Sequence, residues 1–233
     1  MFGLKDMEKV VYGGKVLEKE SGRFTFFRMT KKQYDYFESE ENVRFRNRMM
    51  CTAGICLDFF TDAESVSFDY EVYGMADRDI VQLDICQNGV LTGGLSEKPG
   101  IHTAGHLCHV IDRDTCRWNR ITIWLPYMSR IALKNVQLSQ GAAFRSLTEG
   151  TPDGSFAGII RKKLLCYGDS ITQGYDALHP SQSYAVRLAG FFDLELWNAG
   201  LSGYIFDEKL LDRDLPFSPD IVTVAFGTND WNW

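Results

Sequence analysis

The chain of 233 residues is 45% hydrophobic and 24% charged, the balance of a water-soluble globular protein with room for one large domain or two modest ones. A formal net charge of −6, with no Lys/Arg run interleaved with aromatics, leaves no electrostatic footprint for a phosphate backbone and argues against nucleic acid as a partner. No stretch nears the ~20 apolar residues of a membrane-spanning helix, so no membrane partner is expected.

The first residues, Met1-Phe2-Gly3-Leu4-Lys5-Asp6, lack the basic segment and apolar run of a secretory signal, and the expected location is cytoplasmic. Several of the six cysteines, Cys51, Cys56, Cys86, Cys108, Cys116 and Cys166, fall inside apolar runs rather than in the loop-rich framework of a small secreted domain. They are expected to be reduced and mostly buried.

From about residue 8 to 148, short β-type runs alternate with Gly, Asp and Asn: 24–29, 43–50, 55–61, 66–73, 80–86, 118–124 and 131–138. Regular short strands punctuated in this way predict an all-β sandwich or barrel. In Val66-Ser67-Phe68-Asp69-Tyr70-Glu71-Val72-Tyr73 every second residue is apolar, which sets one face on a core and the other toward water. One helix, over 31–39 behind Thr30 as cap, interrupts the series. Imidazole and thiolate are zinc ligands, and His102, His106 and His109 stand near Cys108. Gly100 and Gly105 break any helix that would align a ligand pair, so this segment reads as a surface loop without metal. Tyr34, Tyr36, Trp118 and Tyr127 can stack on sugars, although core packing is the commoner use of such residues.

Turn formers collect in Leu147-Thr148-Glu149-Gly150-Thr151-Pro152-Asp153-Gly154, the expected boundary between domains. The reading is a β-sandwich over 1–150, a linker over 151–161 and an α/β domain over 162–233. Lys163-Leu164-Leu165-Cys166-Tyr167 ends in Gly168, and helical spacing follows in Tyr184, Leu188 and Phe191. Then come Leu194-Glu195-Leu196-Trp197, a helical stretch over 206–211, and the apolar run 221–226. Strand, helix, strand, helix, strand predicts a parallel sheet covered on both faces.

In such sheets the ligand crevice lies beyond the carboxyl ends of the strands. Three junctions stand there: Gly168-Asp169-Ser170-Ile171-Thr172-Gln173-Gly174, Asn198-Ala199-Gly200-Leu201-Ser202-Gly203 and Gly227-Thr228-Asn229-Asp230. Acyl transfer needs a nucleophilic hydroxyl on a tight strand-to-helix turn and donors aimed at the developing oxyanion. Ser170 offers the hydroxyl and its own N–H, aided by a helix N-terminus. Gly203 can bring a second N–H close because no side chain stands in the way, and Asn229 offers a side-chain N–H. Blander roles compete: Ser170 as a helix cap, Gly203 as a loop terminator, Asn229 and Asp230 as turn residues. Asp169 reads as an orienter of the turn.

These blocks resemble the SGNH (GDSL-like) serine hydrolases. Gly168-Asp169-Ser170 is similar to the family's first block, Gly203 to its second-block glycine, and Gly227-Thr228-Asn229-Asp230 to its third, in order and 33 then 26 positions apart. The resemblance covers about residues 161–233. More loosely, Arg44-Phe45, Phe59-Phe60-Thr61-Asp62 and Thr122-Ile123-Trp124-Leu125-Pro126 resemble the jelly-roll domain that precedes the hydrolase domain in some bacterial members. It implies a jelly-roll-like sandwich followed by a flavodoxin-like SGNH fold, incomplete here. It also implies a carboxyl-ester hydrolase without cofactor or metal, with Ser170 as nucleophile and Gly203 and Asn229 in the oxyanion hole. Its substrate would be a small-molecule ester or an acylated carbohydrate.

The family's Asp-x-x-His, which supplies the base, is expected beyond Trp233, so this chain alone should be nearly inactive and should leave strand 221–226 as an open apolar edge. Asp176-Ala177-Leu178-His179 spells the same pattern only six positions past Ser170 and is not taken as the base. Trp231 and Trp233 either line a pocket beside Asn229 or pack in a core. An acyltransferase with the same nucleophile and a non-catalytic carbohydrate-binding or scaffold protein are the rival readings.

Overall fold

The computed structural model describes residues 1–20, 22–98, 103–113 and 116–232. Among them, eleven strands precede residue 150: β1 (Val11–Tyr12), β2 (Lys15–Glu18), β3 (Arg23–Phe27), β4 (Cys56–Thr61), β5 (Ser65–Met75), β6 (Val81–Gln87), β7 (Val90–Glu97), β8 (Ala104–Val110), β9 (Asn119–Trp124), β10 (Ser129–Leu138) and β11 (Phe144–Ser146). They form two antiparallel sheets, one ordered β1-β4-β9-β6-β7 with β11 also on β4, the other β2-β3-β10-β5-β8.

Period-2 alternation decides which side chains meet between the sheets. In β5, Val66, Phe68, Tyr70 and Val72 are buried while the polar residues between them stay half-exposed. They join Phe24, Phe26, Ile131 and Leu133 of their own sheet and Leu57, Phe59, Leu83, Ile85, Ile121 and Ile123 of the facing sheet in one apolar cluster. Strand β6 breaks the alternation, for all its residues are buried. Its outward side chains are received by the C-terminal part: Asp84 Oδ1 lies 2.9 Å from His179 Nδ1, and Oδ2 accepts the Ser181 N–H at 2.8 Å.

The helices are α1 (Leu4–Val10), α2 (Lys31–Phe37), α3 (Arg46–Met49), α4 (Ser170–Gln173) and α5 (Tyr184–Phe191). After turns and irregular backbone over 151–161, strands β12 (Lys162–Gly168), β13 (Leu194–Gly200) and β14 (Ile221–Ala225) form a parallel sheet ordered β13-β12-β14. One face, with Leu164, Cys166, Leu194 and Leu196, packs on Ala185, Val186 and Ala189 of α5. The opposite face, with Leu165, Tyr167, Trp197 and Ala199, is covered from the N-terminal half, by Met29, Phe37, Phe45 and Met49. Strand β14 pairs with β12 on one side alone among the described residues, and Ile221, Val222 and Val224 are exposed, as anticipated for an open edge.

Some expectations need correction. Residues 43–50 are not a strand: a 3-10 turn, Val43–Phe45, runs into α3. The buried pair in this segment is Phe45 and Met49, four apart, which is helical spacing. The 206–211 stretch is only a 3-10 turn, Glu208–Leu210, capped by Asp207. His106, Cys108 and His109 are on edge strand β8, not in a loop; His102 lies outside the described residues. His106 Nδ1 is 2.7 Å from Asp69 Oδ1, and His109 Nε2 is 3.2 Å from Thr92 Oγ1.

The helix behind Thr30 is present, and its cap is reciprocal: Thr30 Oγ1 accepts the Gln33 N–H at 3.2 Å while the Gln33 side chain takes the Thr30 N–H at 2.8 Å. All six cysteines are free thiols, and Cys51, Cys56, Cys86 and Cys166 are buried. Trp118 and Tyr127 are core residues, and Tyr34 and Tyr36 pack against the cluster under the parallel sheet. Among the described residues no helix is long and apolar enough to cross a membrane, and no group of three metal-ligating side chains converges.

Candidate active site

The order β13-β12-β14 sends successive connections to opposite sides of β12, the arrangement in which open parallel sheets hold ligands beyond the carboxyl ends of their strands. Gly168 pairs with Gly200 on one side and with Ala225 on the other, so the three strands finish level. Ser170, Gly203 and Asn229 each follow within a few residues of those ends.

The turn after β12 is tight. A Cβ on Gly168 would lie 1.9 Å from Thr172 Oγ1 and 2.8 Å from the Ala225 carbonyl oxygen. Asp169, not Ser170, caps α4: its carboxylate accepts the Ile171 N–H at 3.0 Å, which matches its reading as the orienter of the turn. Among the described residues no group hydrogen-bonds the Ser170 hydroxyl, and no acceptor takes the backbone N–H of Ser170 or Gly203. Because α4 is a single turn, the dipole contribution expected from a helix N-terminus is small.

Hydrogen bonds tie the three junctions to one another. Gln173, buried at the end of α4, accepts the Ser202 N–H at 2.8 Å through Oε1 and donates through Nε2 to the carbonyls of Tyr127 at 3.1 Å and Arg48 at 3.2 Å. Asn198 donates to the Thr172 carbonyl at 2.7 Å. Asn229 Nδ2 donates to the Tyr204 carbonyl at 3.0 Å, which leaves its second amide N–H. Asp230 accepts the N–H groups of Gly227 at 3.0 Å and Phe206 at 2.9 Å, closing the third junction onto the second. A continuous set of contacts therefore runs from α4 through 202–206 to 227–230.

Gly203 has φ +69°, and a Cβ there would lie 2.4 Å from Arg48 Nη1. The positive φ favours glycine there, whereas the close atom is the end of a flexible arginine side chain that can move aside. Beside it, Tyr204 Oη donates to Asp207 Oδ2 at 2.6 Å. Burial and this bond push the Tyr204 phenol up. Burial works against the Asp207 carboxylate, yet the hydrogen bonds from Tyr204, the Lys209 N–H and Tyr36 hold it below its ordinary value.

Two arginines that sequence reasoning missed hold this region. Arg28 is fully buried; Nε donates to the Cys51 carbonyl at 2.8 Å, Nη1 to the carbonyls of Asn198 at 3.1 Å and Gly200 at 2.6 Å, and Nη2 to the Arg48 carbonyl at 3.0 Å. No carboxylate pairs with it among the described residues, and burial pushes its pKa down. Its own carbonyl accepts the Trp197 indole N–H at 2.7 Å. Arg48 Nη1 donates to the Ser202 carbonyl at 3.0 Å while Nε bonds Asp77. A lone arginine closing an aromatic strand, as in Phe26-Phe27-Arg28, carries no local signal of such a contact.

Asp176 and His179 are turned onto the sandwich, toward Arg78 at 3.0 Å and Asp84 at 2.9 Å, and no hydrogen bond joins either to Ser170. Trp231 is exposed, and Trp233 lies outside the described residues.

Residues 166–233 match the model of the GDSL-like lipase/acylhydrolase family. No curated protein matches the sequence. Among solved structures, the salicylyl-acyltransferase SsfX3 from a tetracycline biosynthetic pathway is similar with TM-score 0.74 and 21% identity, over 95% of this chain and 60% of that one. A GDSL-like lipase from Bacteroides ovatus gives TM-score 0.60 and 18% identity, over 91% and 60%. The acetyl xylan esterase Est2A from the rumen bacterium Butyrivibrio proteoclasticus gives 0.55 and 15%, over 92% and 63%. The chain thus spans about 60% of the length of the first structures it resembles. At these identities the likeness is one of fold, and it takes in sandwich and parallel sheet together. Residues 166–233 are accordingly similar to the GDSL-like lipase/acylhydrolase family in sequence, and the chain as a whole is similar in fold to esterases and an acyltransferase.

Proposed function

We propose that this chain carries the nucleophile and oxyanion hole of a carboxyl-ester hydrolase, with a sandwich over 1–150, a linker over 151–161 and the start of the hydrolase domain over 162–233. Ser170 Oγ attacks the ester carbonyl. The Ser170 and Gly203 N–H groups and the remaining Asn229 amide N–H donate to the oxygen that gains charge. The observation that supports this best is the set of three strand ends finishing level, their loops joined by the Ser202–Gln173 and Tyr204–Asn229 bonds, with the two backbone N–H groups untaken.

The proton on Ser170 needs a base. None of His106, His109 and His179 hydrogen-bonds Ser170, and His102 lies outside the described residues; following the family resemblance, the base is assigned to an Asp-x-x-His segment outside residues 1–233. On this reading residues 1–233 alone turn over esters hardly at all. A short acyl group on carbohydrate is the favoured substrate, because the fold is shared with an acetyl xylan esterase.

The test is fluorophosphonate labelling and p-nitrophenyl acetate hydrolysis by a version that includes the Asp-x-x-His segment. Ser170→Ala should abolish the label and lower turnover by on the order of 10⁶. Label that survives Ser170→Ala would remove the serine mechanism, and no label in either protein would favour a binding or scaffold role. Transfer rather than hydrolysis is a second reading, motivated by the fold likeness to an acyltransferase. It requires a new ester when an acceptor alcohol is added.

A further inference from the structure

The outer face of the sheet containing β4, β9 and β6 does not lie flush on α5. Between them is a cavity of about 390 Å³ lined by three arginines, the partly buried Arg120 and Arg161 and the exposed Arg187, together with Thr122, Trp124 and Gln182. None of the candidate catalytic residues lines it.

The count of charges and donors there does not balance. At the floor, Asp58 is almost wholly buried and accepts Arg120 Nε at 2.8 Å, Arg120 Nη2 at 2.6 Å, Arg161 Nη2 at 3.3 Å and Thr122 Oγ1 at 3.1 Å. Four hydrogen bonds fill the acceptor sites of one carboxylate, so the remaining N–H groups of both arginines must look elsewhere. Asp58 supplies one negative charge and Asp193, whose charge is felt at Arg120, a second, against the three arginines of the lining. Arg187 adds a third guanidinium whose side chain has no hydrogen bond or ion pair among the described residues. Among the described lining residues Asp193 is the one carboxylate; it acts on Arg120 through its charge without a close ion pair to any of the three arginines. Cys86 contributes no charge, since burial pushes its thiol up to about 11.

We propose that this cavity binds a small ring-bearing anion, held through a carboxylate or phosphate group. Guanidinium forks match such groups in two-point geometry, and their attraction strengthens where water is partly excluded. Half-buried Trp124 supplies an apolar surface for a sugar or similar ring beside the charges. The site stands apart from the esterase reading and does not need it.

Calorimetric titration of the full chain with glucuronate, glucose 6-phosphate and neutral glucose tests the assignment. At least one of the two anions should bind saturably, with affinity falling as salt is raised, and glucose should not bind; which anion binds identifies the acid group. Arg187→Gln should weaken the binding about tenfold or more. Circular dichroism should show an unchanged fold, because the exposed Arg187 side chain has no hydrogen-bond or ion-pair partner to lose among the described residues. Ser170→Ala should bind as the parent does, which separates this site from the catalytic reading. Absence of saturation by both anions up to ~10 mM, equal binding of glucose, or indifference to Arg187→Gln in a folded protein would each overturn the proposal.

Discussion

Strands β13 and β14 flank the same partner, β12, yet they live in different surroundings. By sequence β14 is the more apolar, Ile-Val-Thr-Val-Ala against Leu-Glu-Leu-Trp-Asn-Ala-Gly, but Val224 is 57% exposed while Trp197 is 4% exposed. Burial follows from what covers a strand: β13 has α5 on one face and the 29–49 segment on the other, with Arg28 gripping its last carbonyls. The site inherits the difference. Ser170 and Gly203 sit on loops fastened from several directions, whereas Asn229 hangs on the bond to Tyr204 and on the turn closed by Asp230.

The largest stability change should come from the covered flank. Arg28→Met removes the donors of four carbonyls and should cost at least ~4 kcal/mol of unfolding free energy in denaturant melts. A loss under about 1 kcal/mol would mean that β13 does not depend on this clamp. On the open flank the expectation reverses, with function lost and stability kept. Asn229→Ala should cost roughly 2.7–4 kcal/mol of transition-state stabilisation, read in kcat of a version with its base, while the melting temperature barely moves. A large stability loss without a kcat effect would reassign Asn229 as a turn residue.

Asp207 gives a pH test of the loop between the two flanks. Its folded pKa is depressed, so its contribution is present above its ordinary unfolded value and is lost as pH falls through the lower folded one. Asp207→Asn should therefore lower the melting temperature near neutrality, and the gap from the parent should close below about pH 4. The smallest effect belongs to β14: Val224→Thr should shift stability by no more than about 0.5 kcal/mol, since that side chain has little burial to lose. A larger loss would show that something covers this strand in solution.

The strand ends that carry the candidate site were legible because their parts are local. A strand, a tight turn and a polar block are each spelled by consecutive residues, and three such blocks on successive strand ends leave few alternatives. The alternation in β5 likewise announced its buried face. Strands β7 and β8 were missed for a physical reason: they are largely exposed and glycine-bearing, so neither offers a period of apolar residues to read. The 43–50 segment misled because Val43 and Phe45 mimic a strand, while the contact that decides the matter, Phe45 and Met49 against Tyr167 and Trp197, lies more than a hundred residues away. Arg28 was invisible on the same ground, as its partners Asn198 and Gly200 are 170 and 172 positions on.

The interleaved interior beneath the parallel sheet bears on how the molecule comes into being. When synthesis has released only the first 150 residues, Met29, Phe37, Phe45 and Met49 lack the sheet face they rest against, and Arg28 can reach only the Cys51 and Arg48 carbonyls of its four acceptors. Both settle only after β13 emerges, so this part of the sandwich half ripens late and cooperatively, as a contact of high sequence separation must.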